Sequence, residues 1–317
     1  MLALRALPLM LTLCATLSAA PQPTEAVELE ELRDRALSLV NEAREEHALD
    51  PLERSGLLDE AAQNHAEDML ERNYYAHVSP EGETVQDRYR DQGGSRWKLV
   101  AENIATCTGC PTPPTLDRVE RFQEGWMNSP EHRENVLAEG LENFGFGIAG
   151  DSGTIYAVQT FAGPGEPPGL PPDEEPAALD PAEQTREAVQ AANRAREREG
   201  LDHVEPSDAL SEVARQLLPE GGTDESLVDQ PDNLFDLLPE GERADWSSLR
   251  VLAAACGGCG TLPTAADIRH FIERWSSDPQ DGGTILQRGV TDMGFAMLAN
   301  GEGRKIAVSV LGQRRTR

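Results

Sequence analysis

Cys107-Thr108-Gly109-Cys110, followed by Phe122, Trp126, Pro130 and the pair Gly145-Phe146, is the stretch on which the reading of this chain turns, because it is written twice. The second version is Cys256-Gly257-Gly258-Cys259, then Phe271, Trp275, Pro279 and Gly294-Phe295, at a constant separation of 149 residues (256 − 107). Upstream, Asn41-Glu42-Ala43-Arg44 with Leu49-Asp50 recurs as Asn193-Arg194-Ala195-Arg196 with Leu201-Asp202. Matching aromatic, glycine and cysteine positions over such a length mean a duplicated domain. The copies part company at polar residues. Glu102 is replaced by Val251 and His132 by Asp281, and the stretch around Leu227, opposite His77, holds no histidine. Chemistry that needs those groups is expected in the first copy alone.

The 317 residues accommodate two domains, each large enough to bury a core. Arg5, the apolar run to Leu17 and the small residues Ser18-Ala19-Ala20 read as a secretory signal peptide over residues 1–20. The run is shorter than the roughly 20 residues that cross a bilayer, so no membrane span is expected. The mature chain is then secreted, extracellular or periplasmic. Its 56 acidic against 28 basic residues give a formal net charge of −28, which repels nucleic acid and anionic membrane surfaces and favours solubility and cations.

Apolar residues at Leu29, Leu32, Ala36, Leu39, Val40 and Ala43 have helical spacing, as do Leu58, Ala62, His65 and Met69 after a candidate cap at Ser55. Residues 73–97, broken by Ser79-Pro80, Gly82 and Gly93-Gly94, read as loop. A third helix is expected from Thr115 to just before Pro130, and a strand hairpin over 144–149 and 154–161. Helices on a small antiparallel sheet make the fold class α+β. The first domain spans 25–163, a proline- and acid-rich linker 164–183, and the second domain 184–317. Cys107, Cys110, Cys256 and Cys259 are consistent with a local disulfide in each loop, with disulfides between the copies, or with one shared zinc site.

Three segments carry polar groups in an order that points to a family: Tyr74-Tyr75-Ala76-His77-Val78-Ser79-Pro80, then Ala101-Glu102-Asn103-Ile104-Ala105, then the run from Trp126 to Leu137 containing Ser129-Pro130-Glu131-His132-Arg133. Together they resemble the HxSP, ENIA and WxNSPxHRxNIL patterns of the CAP superfamily (cysteine-rich secretory, antigen 5 and pathogenesis-related proteins; the SCP domain), in its bacterial secreted branch. The resemblance covers about residues 29–163, and the second copy is similar only in scaffold. It implies an α-β-α sandwich, duplicated here in tandem, with a cleft that holds zinc or another divalent ion in several members. Carried over by motif, His77, His132 and Glu102 would be the metal ligands, and Ser129 takes the fourth cleft position, where eukaryotic members have glutamate.

Two imidazoles and a carboxylate suit zinc and leave a coordination position open. The same trio can instead be a hydrogen-bonded polar cluster that organises the cleft without an ion. The function expected is a secreted, non-catalytic binding protein for a divalent metal, a small amphiphile or another extracellular ligand, since the resemblance implies sterol or lipid binding in several relatives. A metal-dependent hydrolase, with Glu102 or Glu131 as base, is the alternative; no HExxH helix supports it. A structural module of the envelope is the third reading.

Overall fold

A computed structural model describes residues 28–171, 173–219, 231–279 and 281–315. The expected signal peptide and the stretch around Leu227 lie outside them. In the first half, helix α1 (Leu29–Glu45) leads through β1 (Glu53–Arg54) to α2 (Gly56–Arg72) and α3 (Val85–Asp91). Then come β2 (Leu99–Thr108), α4 (Leu116–Met127), α5 (Pro130–Val136), β3 (Asn143–Asp151) and β4 (Thr154–Gly163). The strands form one sheet in the order β1-β3-β4-β2, with β4 antiparallel to both long neighbours.

Alternation along β4 splits the core into two layers. Ile155, Ala157 and Phe161 face α1 and α4, packing with Leu32, Ala36, Val40, Val119, Phe122 and Trp126. Tyr156 and Val158 point the other way, onto Ala62, Ala66 and Met69 of α2. The result is the expected α-β-α sandwich. Helix α2 lies close against the sheet because Gly145 and Gly147 offer no side chain; a Cβ at Gly145 would run into the backbone of Leu58.

The second half repeats this plan with α6 (Pro181–Arg198), β5 (Glu205–Pro206), α7 (Asp208–Gln216), β6 (Trp246–Cys256), α8 (Ala265–Ser277), α9 (Gly282–Ile285), β7 (Asp292–Ala299) and β8 (Lys305–Arg314). Its strand order is β5-β7-β8-β6, position for position that of the first sheet. The repeated Asn-x-Ala-Arg has a physical reason. Asn41 clamps both backbone groups of Leu52 (3.0 and 2.8 Å) as Asn193 clamps those of Val204 (2.9 and 2.8 Å). Buried Arg44 donates to the carbonyls of Asp50, Val136 and Ala138, as Arg196 does to those of Asp202, Ile285 and Gln287. Each guanidinium thus satisfies loop carbonyls that no ladder reaches.

Several sequence expectations need correction. Residues 73–97 are not all loop: Thr84 and Asp87 form a reciprocal cap that starts α3. Pro130 does not merely end a helix, since it occupies the first turn of α5, where its missing N–H costs nothing. Helix α6 begins at Pro181, inside the expected linker, because Asp180 and Glu183 cap it. The local disulfides expected in each loop are, by contrast, borne out, Cys107 with Cys110 and Cys256 with Cys259. Among the described residues, no helix is long and apolar enough to cross a membrane.

Candidate functional site

Strand β2 organises the site by the alternation of its side chains. Ile104 belongs to the α2 layer, and Glu102, two residues earlier, shares that face. There the Glu102 carboxylate is buried, with one oxygen 2.9 Å from His77 Nδ1 and the other 2.7 Å from an Arg88 Nη. Arg88 also donates to the carbonyls of His77 (3.0 Å) and Glu83 (3.1 Å), so a single guanidinium ties the His77 loop to the strand. Both members of the Arg88–Glu102 pair are buried, and removing one would strand a charge in low dielectric.

Asn103 points to the opposite face. Its amide donates to the His132 carbonyl (3.0 Å) and to Gln159 Oε1 (3.2 Å), while Asn135 donates to Asn103 Oδ1 (2.9 Å) and to the Glu102 carbonyl (3.1 Å). Gln159 in turn donates to Gln123 on α4 (2.7 Å). Adjacent residues of one strand therefore hold the two histidine-bearing segments, Glu102 the loop with His77 and Asn103 the helix with His132. The Ile104 carbonyl completes the frame by accepting from Trp126 Nε1 and Tyr75 Oη, each at 3.0 Å.

The histidines differ in environment. The His77 side chain is 52 % exposed, and its Nδ1 bond to a carboxylate leaves Nε2 as the free ring nitrogen. His132 is half-buried, and its pKa is lowered by burial first and by His77 second, against the pull of Glu131. His65 is buried on α2, its Nε2 bonded to the Ala76 carbonyl (3.0 Å) and 4.0 Å from Glu102; burial lowers its pKa. Ser129 stands at the residue before α5, makes no side-chain capping bond and is half-buried; its carbonyl accepts from the Arg133 amide (2.9 Å). Tyr75 and Val78, flanking His77, are 49 % and 47 % exposed.

A three-ligand metal set of His77, His132 and Glu102 does not fit this arrangement well. Both Glu102 oxygens are engaged, one of them by a cation that would repel a metal ion. Buried Arg88 Nε has no partner among the described residues, so the leftover polarity of this floor asks for an acceptor. Among the described residues, no group of three or more His, Cys, Asp or Glu is placed to hold a metal. Sequence reasoning missed Arg88, Gln123 and Gln159. Arg88 stands in a stretch read as loop, and only its cap, Thr84 with Asp87, signals a helix there.

Comparison with known proteins agrees with the motifs. Residues 37–161 match the family described as CAP, the cysteine-rich secretory protein family. The protein YkwD of Bacillus subtilis (strain 168) is 32% identical over 144 residues, 45% of this chain and 50% of that protein, so the chain spans about half the length of the curated relative it matches. An extracellular protein containing a SCP domain from Bacillus anthracis str. Ames is 30% identical over 42% of this chain and 40% of that one, with a TM-score of 0.35. Na-ASP-1 aligns over 94% of this chain and 93% of its own at 9% identity and a TM-score of 0.38. With its motifs, its sandwich and the match over residues 37–161, the first half of the chain carries a CAP domain.

Proposed function

We propose that the first half is an exported, non-catalytic binding module that takes a small amphiphile at His77. One observation carries this reading: a half-exposed imidazole, its tautomer fixed through Glu102 and Arg88, belongs to a segment in which Tyr75 and Val78 also expose their side chains. The free Nε2 of His77 meets the polar end of the ligand, and the tyrosine and valine meet its apolar part. Export follows from the apolar leader at residues 1–20.

The floor favours binding over turnover. Glu102 is held between a guanidinium and an imidazole, so it is not free to serve as a general base. A divalent ion held by the two imidazoles is the second reading; it is favoured by the burial that keeps His132 neutral, the form in which an imidazole ligates.

Calorimetric titration of the full chain with a monoacyl phosphocholine, and separately with Zn²⁺, tests both. The first reading expects heat with the lipid, abolished in His77→Ala and weakened in Tyr75→Ala. Heat with zinc alone, lost in both His77→Ala and His132→Ala, would replace it with the second. Silence with both probes, or hydrolysis of an ester or peptide panel that disappears in Glu102→Gln, would overturn the binding reading.

A further inference from the structure

The two halves meet through a loop that differs between the copies in what it touches. In the first half the cysteine loop folds back on its own hairpin, with the Gly109 and Cys110 amides both donating to the Gly153 carbonyl (2.8 and 3.0 Å). The second half keeps the matching bond, Cys259 to the Gly303 carbonyl (3.0 Å), but turns its glycines onto the first half. The Gly258 amide donates to the Trp97 carbonyl (2.6 Å) and the Gly260 amide to that of Pro164 (2.8 Å), while Gly165 and Cys259 pair as an antiparallel bridge. A Cβ at Gly257 would lie 3.0 Å from the Trp97 oxygen, so a side chain such as the threonine found at this place in the first half, Thr108, would press on the Trp97 backbone and force it to give by a few tenths of an ångström. The Arg304 guanidinium stands 4.5 Å from the centre of the Trp97 ring.

The point of contact matters for the site. Leu99 pairs with Gly163, so Trp97–Leu99 and Gly163–Gly165 are neighbouring ends of the β2–β4 ladder, and the loop caps both. Glu102 lies three residues into β2. We infer that the second half is an intrachain positioning partner of the first: its Gly257–Gly258 loop fixes the start of β2 and, through that strand, holds the Glu102 carboxylate on His77 Nδ1. A copy retained for this contact needs its framework and its loop, and does not need the cleft groups it has lost, as Val251 in place of Glu102 illustrates.

The positioning is read by the His77 tautomer. With Glu102 in place the proton stays on Nδ1; an imidazole released from that carboxylate reverts toward the Nε2–H form it prefers in water. The test uses the full chain in three variants: Gly257→Val, which crowds the loop against the Trp97 backbone; Trp97→Leu, which removes the stacked ring; and Gly125→Ala, a glycine change into open space on α4. Amide hydrogen exchange over residues 99–103 should accelerate about tenfold in the first two and stay unchanged in the third. In step, the ¹⁵N shifts of His77 should move toward the Nε2–H form. Folded variants with unchanged exchange, or with faster exchange and an unmoved His77 tautomer, would overturn the inference. No ligand enters these measurements, so a failed lipid or zinc titration would leave this result standing.

Discussion

The first and second halves share strand order, helix placement and buried clamps, and differ at the groups a ligand could meet. Phe122 and Trp126 stack at 5.9 Å as Phe271 and Trp275 do at 6.0 Å, and Arg44 and Arg196 plug equivalent loops. Even an interhelical ion pair recurs with its polarity reversed: Arg35 on α1 meets Glu120 on α4, where Glu187 on α6 meets Arg269 on α8. The Glu102–Arg88–His77 set has no such echo at Val251. The fold therefore depends on packed aromatics and on polar groups turned toward backbone carbonyls, and does not require the cleft set, which the second copy lacks at the position of Glu102.

That division can be broken by exchanging residues between the halves. Glu102→Val, the change that makes the first half like the second, should cost about 3–5 kcal/mol because it strands the buried Arg88 charge. Adding Arg88→Leu should recover much of the loss, as measured by urea unfolding; a harmless single change would mean the pair is not buried as described. Next in size, Arg44→Ala and Arg196→Ala should each cost about 3 kcal/mol or more, by leaving buried carbonyls unpaired. A penalty in only one half would end the equivalence of the clamps.

Acid should act more mildly. His65 and His132 have folded-state pKa values below the ordinary value of about 6.5, mainly through burial. Below that pH the unfolded chain binds more protons, so unfolding free energy should fall as pH drops through about 6.5, until the folded-state values are passed. Replacing His65 with Gln should flatten the slope; an unchanged slope would assign acid sensitivity elsewhere. The smallest effect belongs to the mirrored ion pair. Arg35→Glu should cost well under about 1 kcal/mol, and adding Glu120→Arg should restore it, since both side chains are partly exposed.

Much of this was legible before any coordinates. The duplication, the helices carrying Leu32 and Met69 and the hairpin after Gly145 follow from repeats and periodicity, and the sandwich from the family resemblance that the motifs carry. Helix α3 was hidden because Val85–Asp91 is short and mostly charged, with no apolar stripe to betray it. Arg88 was hidden with it, as its role exists only once a helix and a strand far apart in sequence are packed together. Reading Pro130 only as the end of a helix, and the proline-rich stretch to residue 183 only as linker, missed that Pro130 and Pro181 open helices. His77, Glu102 and His132 were visible as motif residues, but that Glu102 would hold His77 and Asn103 the backbone of His132 follows from strand alternation, which requires knowing that residues 99–108 are a strand.

The central claim, that ligand chemistry is confined to the first half, is tested most directly by a ¹⁵N-histidine spectrum of the full chain during titration with the monoacyl phosphocholine. The account predicts that His77 starts as the Nδ1–H form and shifts with added ligand, while His203 and His270 of the second half stay still. A response centred on His203 or His270, or a His77 that begins as the Nε2–H form, would contradict it.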